Sequence, residues 1–264
     1  MSHLTVERSG HVVTCRISNP PSHTLGFEAL SELLELVGSI GAEARVVVFT
    51  GGGDDVFIAH FEIDELAEAS EAGGNLSPSN SGQDELHDFN KLCLAIEQAP
   101  WVSVAAMNGR AAGAGIELAL ACDFRVTSDG PWWFGLPETN VGIIPGGGGT
   151  QRLARLLGTA KALDLILHAE MYRPDQALEM GVVHRVFPEA DFTRSVEAFA
   201  SNLASRSPIA LRAARTAIRE GASLPIEDAL RIEQREMERA MSTNDAAGAM
   251  RAWLKGETWE WTGR

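Results

Sequence analysis

One charged residue, Glu117, interrupts the apolar run from Ala111 to Cys122. A carboxylate in such a run is costly to bury without a partner or a task, so Glu117 reads either as an acid/base group or as half of a buried ion pair. Just before it, the run Val102 to Met107 leads into Asn108-Gly109-Arg110-Ala111-Ala112-Gly113-Ala114-Gly115, and an apolar helix follows. Small residues there let a ligand approach the backbone. The first turn of a helix offers unpaired N–H groups and the positive end of its dipole, which suit negative charge developing on a carbonyl oxygen; Ala114 would donate from that turn. A second turn, Ile58 to Leu66, places Ala59 as another backbone donor, with Glu62, Asp64 and Glu65 favouring a helix N-terminus. Its plainer reading is a strand-to-helix turn with no ligand. A third segment, Phe134-Gly135-Leu136-Pro137-Glu138, carries a carboxylate after proline, either solvated surface or a second acid/base group.

Other chemistries lack the residues they need. Pro145 to Thr150 is rich in glycine, but Gln151-Arg152 follows and supplies no lysine before a hydroxyl residue, so it is not a phosphate loop of the Walker type. Gly109 to Gly115 has Gly-x-x-x-Gly-x-Gly spacing, not the dinucleotide fingerprint. There is no Gly-x-Ser-x-Gly elbow and no His-Glu-x-x-His.

These segments must be held by a core, and 264 residues are enough to build one. The hairpin Leu4 to Arg8 and His11 to Ile17, a helix from Phe27 to Val37 and a β-branched strand from Arg45 to Thr50 open the chain. Residues Ala69 to Gln83, rich in Gly, Ser, Asn and Pro, read as a loop. Helix Leu86 to Gln98 precedes strand Val102 to Met107. From Gly158 onward the pattern is helical apart from a short strand at Val182 to Val186: helices span Pro174 to Met180, Phe192 to Ser205, Pro208 to Glu220, Pro225 to Met241 and Asp245 to Lys255. No sequence repeat of fixed period is present.

Lys and Arg number 22 against 36 Asp and Glu, a formal charge of −14 that repels polyanions, so nucleic acid is not an expected partner. Any pocket for an anionic ligand must gather basic residues locally. Cys15, Cys93 and Cys122 are too few and scattered for a disulfide framework or a zinc site, which fits a reducing cytoplasm. The start of the chain shows no targeting pattern, and the tract Trp101 to Cys122 is broken by Asn108, Arg110 and Glu117. No membrane association is expected.

Taken together, Ala59 within Phe57 to Leu66, Gly113 to Ala119, Phe134 to Glu138, and Pro145 through Leu153 resemble the enoyl-CoA hydratase/isomerase (crotonase) family. Ala177 to Val183 and Pro208 to Glu220 extend the resemblance over nearly the whole chain. It implies an α/β fold, a ββα superhelix over residues 1–203, and a C-terminal helical oligomerisation region over 204–264 that forms a homotrimer or homohexamer. By the same resemblance the N–H groups of Ala59 and Ala114 form an oxyanion hole for a thioester carbonyl, Glu117 and Glu138 are the catalytic carboxylates, and Phe57, His60, Ile63, Gly113, Pro137 and Gly146 surround the substrate. Family members that only isomerise generally lack the first glutamate, so the pair implies hydration of a trans-2-enoyl-CoA to a 3-hydroxyacyl-CoA. No metal or redox cofactor is required, since coenzyme A arrives as part of the substrate. His60 departs from the glycine usual at its position, and either reshapes substrate choice or packs; Ala114 replaces a more frequent glycine and keeps its N–H. Three tryptophans between Trp253 and Trp261 are interface anchors or core. The rival readings are another acyl-CoA reaction of the family (isomerisation, thioester hydrolysis or C–C cleavage) and a non-catalytic CoA-binding protein.

Overall fold

The computed structural model describes residues 3–74 and 85–264. Strands β1 (Leu4–Ser9) and β2 (Val12–Ile17) form the expected antiparallel hairpin. Helix α1 (Phe27–Ser39) buries Ala29, Leu30, Leu33 and Val37 on one face, as that spacing requires. It returns the chain to β3 (Val46–Gly51), parallel to β2. Every residue of β3 is buried, and a continuous apolar run of this kind belongs to a strand covered on both faces.

A structural unit then recurs. After β3 come β4 (Val56–Ile58), α2 (Ile63–Glu71) and α3 (Asp88–Gln98); then β5 (Val102–Met107), β6 (Arg110–Ala112) and α4 (Ala114–Ala121); then β7 (Phe124–Ser128), β8 (Phe134–Gly135), a 3₁₀ turn at Glu138–Val141 and α5 (Gly149–Leu157). Each pass gives its first strand to one sheet, in which β1-β2-β3-β5-β7 are neighbours and Arg185–Phe187 adds a sixth strand beside β7, and its second to another, in which β4-β6-β8 are neighbours and Met171–Tyr172 adds a fourth beside β8. This is the ββα superhelix. Helix α6 (Thr159–Leu167), β9 (Met171–Tyr172), α7 (Pro174–Glu179) and β10 (Arg185–Phe187) complete both sheets. The main core lies between the sheets and α1, α3 and α4, while a second apolar cluster joins Val46, Val48, Val104 and Val126 to α8 (Phe192–Ala204) on the other face. Helices α9 (Pro208–Gly221), α10 (Ile226–Met241) and α11 (Asn244–Lys255) follow. No helix of the described residues is long and apolar enough to cross a membrane.

Two local expectations are corrected. Residues Ala69 to Glu71 are the last of α2 and not loop; residues 75–83 of that stretch lie outside the described residues. The late strand is Arg185–Phe187, because the N–H groups of Val182 and Val183 both donate to the carbonyl of Ala177 at the end of α7 (2.8 and 3.2 Å), turning their side chains into the core before pairing begins.

Candidate active site

Strand β6 delivers the chain to α4 through Gly113, whose backbone sits at φ +50°. That left-handed conformation favours glycine, and a Cβ there would lie 3.0 Å from Oε1 of Glu138. Helix α4 is buried on all sides, so its first turn sits inside the molecule with N–H groups unpaired. Glu117 is 3% exposed. Its Oε1 accepts the N–H of Gly149 at 2.8 Å, and Gly147 packs against Oε2, its N–H favouring the anion. Among the described residues Glu117 makes no ion pair: Arg152 forks onto Glu97 with two 2.9 Å bonds and donates to the Gly147 carbonyl at 2.9 Å.

Glu138 opens the 3₁₀ turn after Pro137. It is not solvated surface. Its Oε2 is buried with no hydrogen-bond partner among the described residues, and burial pushes its carboxyl up to about 7. Burial likewise pushes Glu117 up to about 7, opposed by the two glycine N–H groups and reinforced by the nearby charge of Glu138. Such a pair titrates as a unit. The Gly149 and Gly147 N–H groups favour the anion at Glu117, and the unpartnered oxygen favours the acid at Glu138.

Both carboxyls line one cavity of about 310 Å³. Phe27, Leu30, Phe61, Ile63, Leu66 and Phe89 form an apolar wall, Val141, Ile143 and Ile144 another, and His60, His87 and Asn140 add polar atoms. Of the residues expected around the substrate, His60, Ile63, Gly113, Pro137 and Gly146 line this cavity, as does Ala114. Phe57 does not; it is a fully buried core residue of β4. No Lys or Arg stands among the described lining residues, so the local basic cluster expected for an anionic ligand is not in this cavity.

Ala59 also requires correction. Its N–H donates to the carbonyl of His23 at 3.0 Å and its carbonyl accepts from Ala112 at 3.1 Å, so it has no free donor. The next peptide is the informative one. The His60 carbonyl accepts the N–H of Leu25 at 2.9 Å, and in a trans peptide the following N–H points the opposite way. The Phe61 N–H therefore faces away from Leu25, toward the side where Ala59 pairs with Ala112. Neither Phe61 nor Ala114 gives its N–H to an acceptor among the described residues, and both line the cavity. The His60 ring folds back so that Nδ1 bonds its neighbour's carbonyl, Phe61 O, at 2.7 Å. Sequence reading also missed His87, Phe89 and Asn90 at the start of α3; their types carry no signal for the site until the fold brings them to Gly146 and Gly147.

A family model described as enoyl-CoA hydratase/isomerase matches residues 7–264. The chain belongs to the enoyl-CoA hydratase/isomerase family. Within that crotonase family it is similar to the short-chain-enoyl-CoA hydratase of Clostridium acetobutylicum, 31% identical over 97% of this chain and 95% of that protein. It is 34% identical to the 2,3-dehydroadipyl-CoA hydratase of Escherichia coli over the full length of both. The crystal structure of an enoyl-CoA hydratase from Geobacillus kaustophilus superposes with a TM-score of 0.92 at 29% identity, covering 100% of this chain and 98% of that one. The crotonase spiral is thus the frame on which the two carboxyls converge.

A raised carboxyl carries a stability cost with a defined sign. In the folded state Glu117 titrates near 7 against an ordinary 4.5, so between those values the folded protein keeps a proton that the unfolded chain releases. Its contribution to stability therefore falls as pH rises from about 4.5 to 7. Glu117→Gln removes this dependence. The difference in melting temperature between parent and variant should shift against the parent from pH 5 to pH 8 in thermal unfolding, and a difference that stays constant would mean the carboxyl does not titrate from a buried state.

Proposed function

We propose that this enzyme adds water across the double bond of a trans-2-enoyl-CoA to give a 3-hydroxyacyl-CoA. The observation that carries the reading is the pair of carboxyls in one apolar cavity, Glu117 bonded by the Gly149 N–H and packed on Gly147, and Glu138 with a buried oxygen that has no partner among the described residues. The acyl chain and thioester occupy this cavity, and the phosphates of coenzyme A stay outside it. The N–H groups of Phe61 and Ala114 receive the thioester oxygen. Charge that builds there toward an enolate makes C3 electrophilic, and each donor contributes ~3 kcal/mol to its stabilisation. Glu117 orients and deprotonates the water that attacks C3, while Glu138 holds the same water and delivers a proton to C2. Proton, hydroxide and electron pair all balance between water and the alkene, so the step as written uses no metal or redox cofactor. Three buried thiols, Cys15, Cys93 and Cys122, suit a reducing cytoplasmic setting.

The direct test mixes purified protein with crotonyl-CoA and longer trans-2-enoyl-CoAs and follows loss of the conjugated enoyl thioester absorbance. Turnover supports the reading. Double-bond migration of a 3-enoyl-CoA without hydration would move the protein to the isomerase class, and release of free CoA would make it a thioester hydrolase.

The assembly we propose is a homotrimer, paired into a hexamer, through residues 204–264. Ile218, Ile226, Trp253 and Leu254 are each at least 69% exposed on α9 to α11, a set of apolar faces that one copy leaves uncovered. Trp253 fits an interface anchor, whereas Trp259 packs over Gly248 and bonds Asp245 within the chain. Sedimentation should give a particle of three or six chains at micromolar concentration; a compact monomer would contradict this.

A further inference from the structure

The cradle of Glu117 is built from peptides whose carbonyls are themselves held. In a trans peptide a carbonyl and the following N–H point in opposite directions, so fixing one aims the other. The Gly148 carbonyl accepts the backbone N–H of Arg152 at 2.9 Å, which turns the Gly149 N–H to Glu117 at 2.8 Å. That fixture is backbone of α5. The Gly146 carbonyl is held differently, by side chains of the segment that opens α3. Asn90 Nδ2 donates to it at 3.1 Å, His87 Nε2 lies 2.9 Å from it, and Asn90 Nδ2 also lies 2.9 Å from His87 Nε2. With Gly146 O drawn to α3, the N–H of Gly147 turns to the opposite side, where Glu117 stands: a Cβ on Gly147 would lie 2.8 Å from Glu117 Oε2, and this N–H favours the carboxylate anion. A run of four glycines has more backbone freedom than any other sequence and does not hold a peptide plane by itself.

We infer that His87 and Asn90 are positioning residues, which by fixing the Gly146 carbonyl aim the Gly147 N–H at the Glu117 carboxylate and hold that base in place. The inference rests on the reading of Glu117 as the base of hydration. It assigns a function to two residues at the start of α3 that make no hydrogen bond to Glu117 among the described residues. The charged and titratable groups facing Glu117 are Glu138 from the 3₁₀ turn, Arg152 from α5 and Cys93 from α3, with His87 on the cavity wall. None of the first three is altered by changing His87 or Asn90, so a change in Glu117 reports the peptide.

The experiment compares parent, Asn90→Ala, His87→Ala, the double variant and His87→Gln. A hydrogen bond to a charged group is worth about tenfold in an equilibrium or rate, so the double variant should lose ~10-fold in kcat with KM changed less than about twofold. The lost N–H favoured the anion. The acidic limb of kcat/KM should therefore move to higher pH, and the Glu117 side-chain carbon, followed by NMR in glutamate-labelled protein, should titrate at higher pH. His87→Gln keeps a hydrogen-bonding group near Gly146 and should restore most of the Glu117 titration lost in His87→Ala. A double variant with the parent's melting temperature and an unmoved Glu117 titration overturns the inference; if the double variant does not fold, the single variants carry the same two readouts at smaller size. A parent that does not hydrate enoyl-CoAs sinks the hydratase reading alone, because the NMR titration still decides whether His87 and Asn90 set the state of Glu117.

Discussion

Glu138→Gln should lower kcat for hydration of crotonyl-CoA by ~10²–10⁴-fold and leave binding of the CoA ester nearly unchanged. The amide keeps the shape of the side chain but cannot deliver a proton to C2. Glu117→Gln should fall in the same range, because it removes the base that takes the proton from water. On the proposed mechanism both groups act on one water in one transition state, so the double variant should fall far short of the product of the two losses. The structural setting sharpens this expectation. Glu138 Oε2 is buried with no partner among the described residues, so a glutamine forfeits no hydrogen bond at that atom. A loss of rate without loss of stability is then specific to proton transfer. Hydration at the parent rate by the Glu138→Gln protein would remove the hydratase assignment, and loss of hydration on changing Glu117 with isomerisation retained would favour an isomerase.

What the sequence revealed, and what it hid, follows from range. Strand Val102 to Met107 was legible because six consecutive buried residues between turn signals describe a central strand, and the helix after Gly113 because its apolar run is broken only at Glu117. Strands β4, β6, β8 and β9 have two or three residues each, too few for any periodicity, so the alternation between sheets that makes the spiral was invisible as a sequence repeat. The segment 57–61 shows the same limit at atomic scale. Residue types marked the turn, but which N–H stays free is decided by pairing with His23 and Leu25, more than thirty residues earlier. That pairing engages Ala59 and releases Phe61. Phe57, apolar and next to the turn, was assigned to the substrate wall and is instead core. Glu117 and Glu138 were found through motifs, yet only packing distinguishes a buried proton carrier from a solvated carboxylate.

Gly147→Ala should lower kcat by about 10²-fold or more, a cost expected when a catalytic carboxylate loses its place, and destabilise the protein by ~1–3 kcal/mol as an overpacked core site. A Cβ at Gly147 would fall inside contact distance of the Phe89 ring and 2.8 Å from Oε2 of Glu117. Neither neighbour can yield cheaply. Phe89 is 5% exposed and its ring stands 6.5 Å from that of Phe61, the residue whose N–H is assigned to the oxyanion hole, so pushing Phe89 aside disturbs both ends of the reaction. Glu117 is held between the Gly149 N–H and the wall of the cavity, and a retreat breaks the cradle. The adjacent glycine is the control. At Gly146 the same added carbon meets only Nε2 of His87, at 3.9 Å, an ordinary contact, so Gly146→Ala should keep most of the activity and stability. Gly38→Ala, in open space on α1, should stabilise by roughly 0.5–1 kcal/mol through helix propensity and leave turnover alone. Measured kcat and melting temperature for the three variants separate the general effect of Gly→Ala from the specific one: if Gly147→Ala retains kcat within about threefold of the parent, the close packing of residue 147 against Glu117 is not what positions the base.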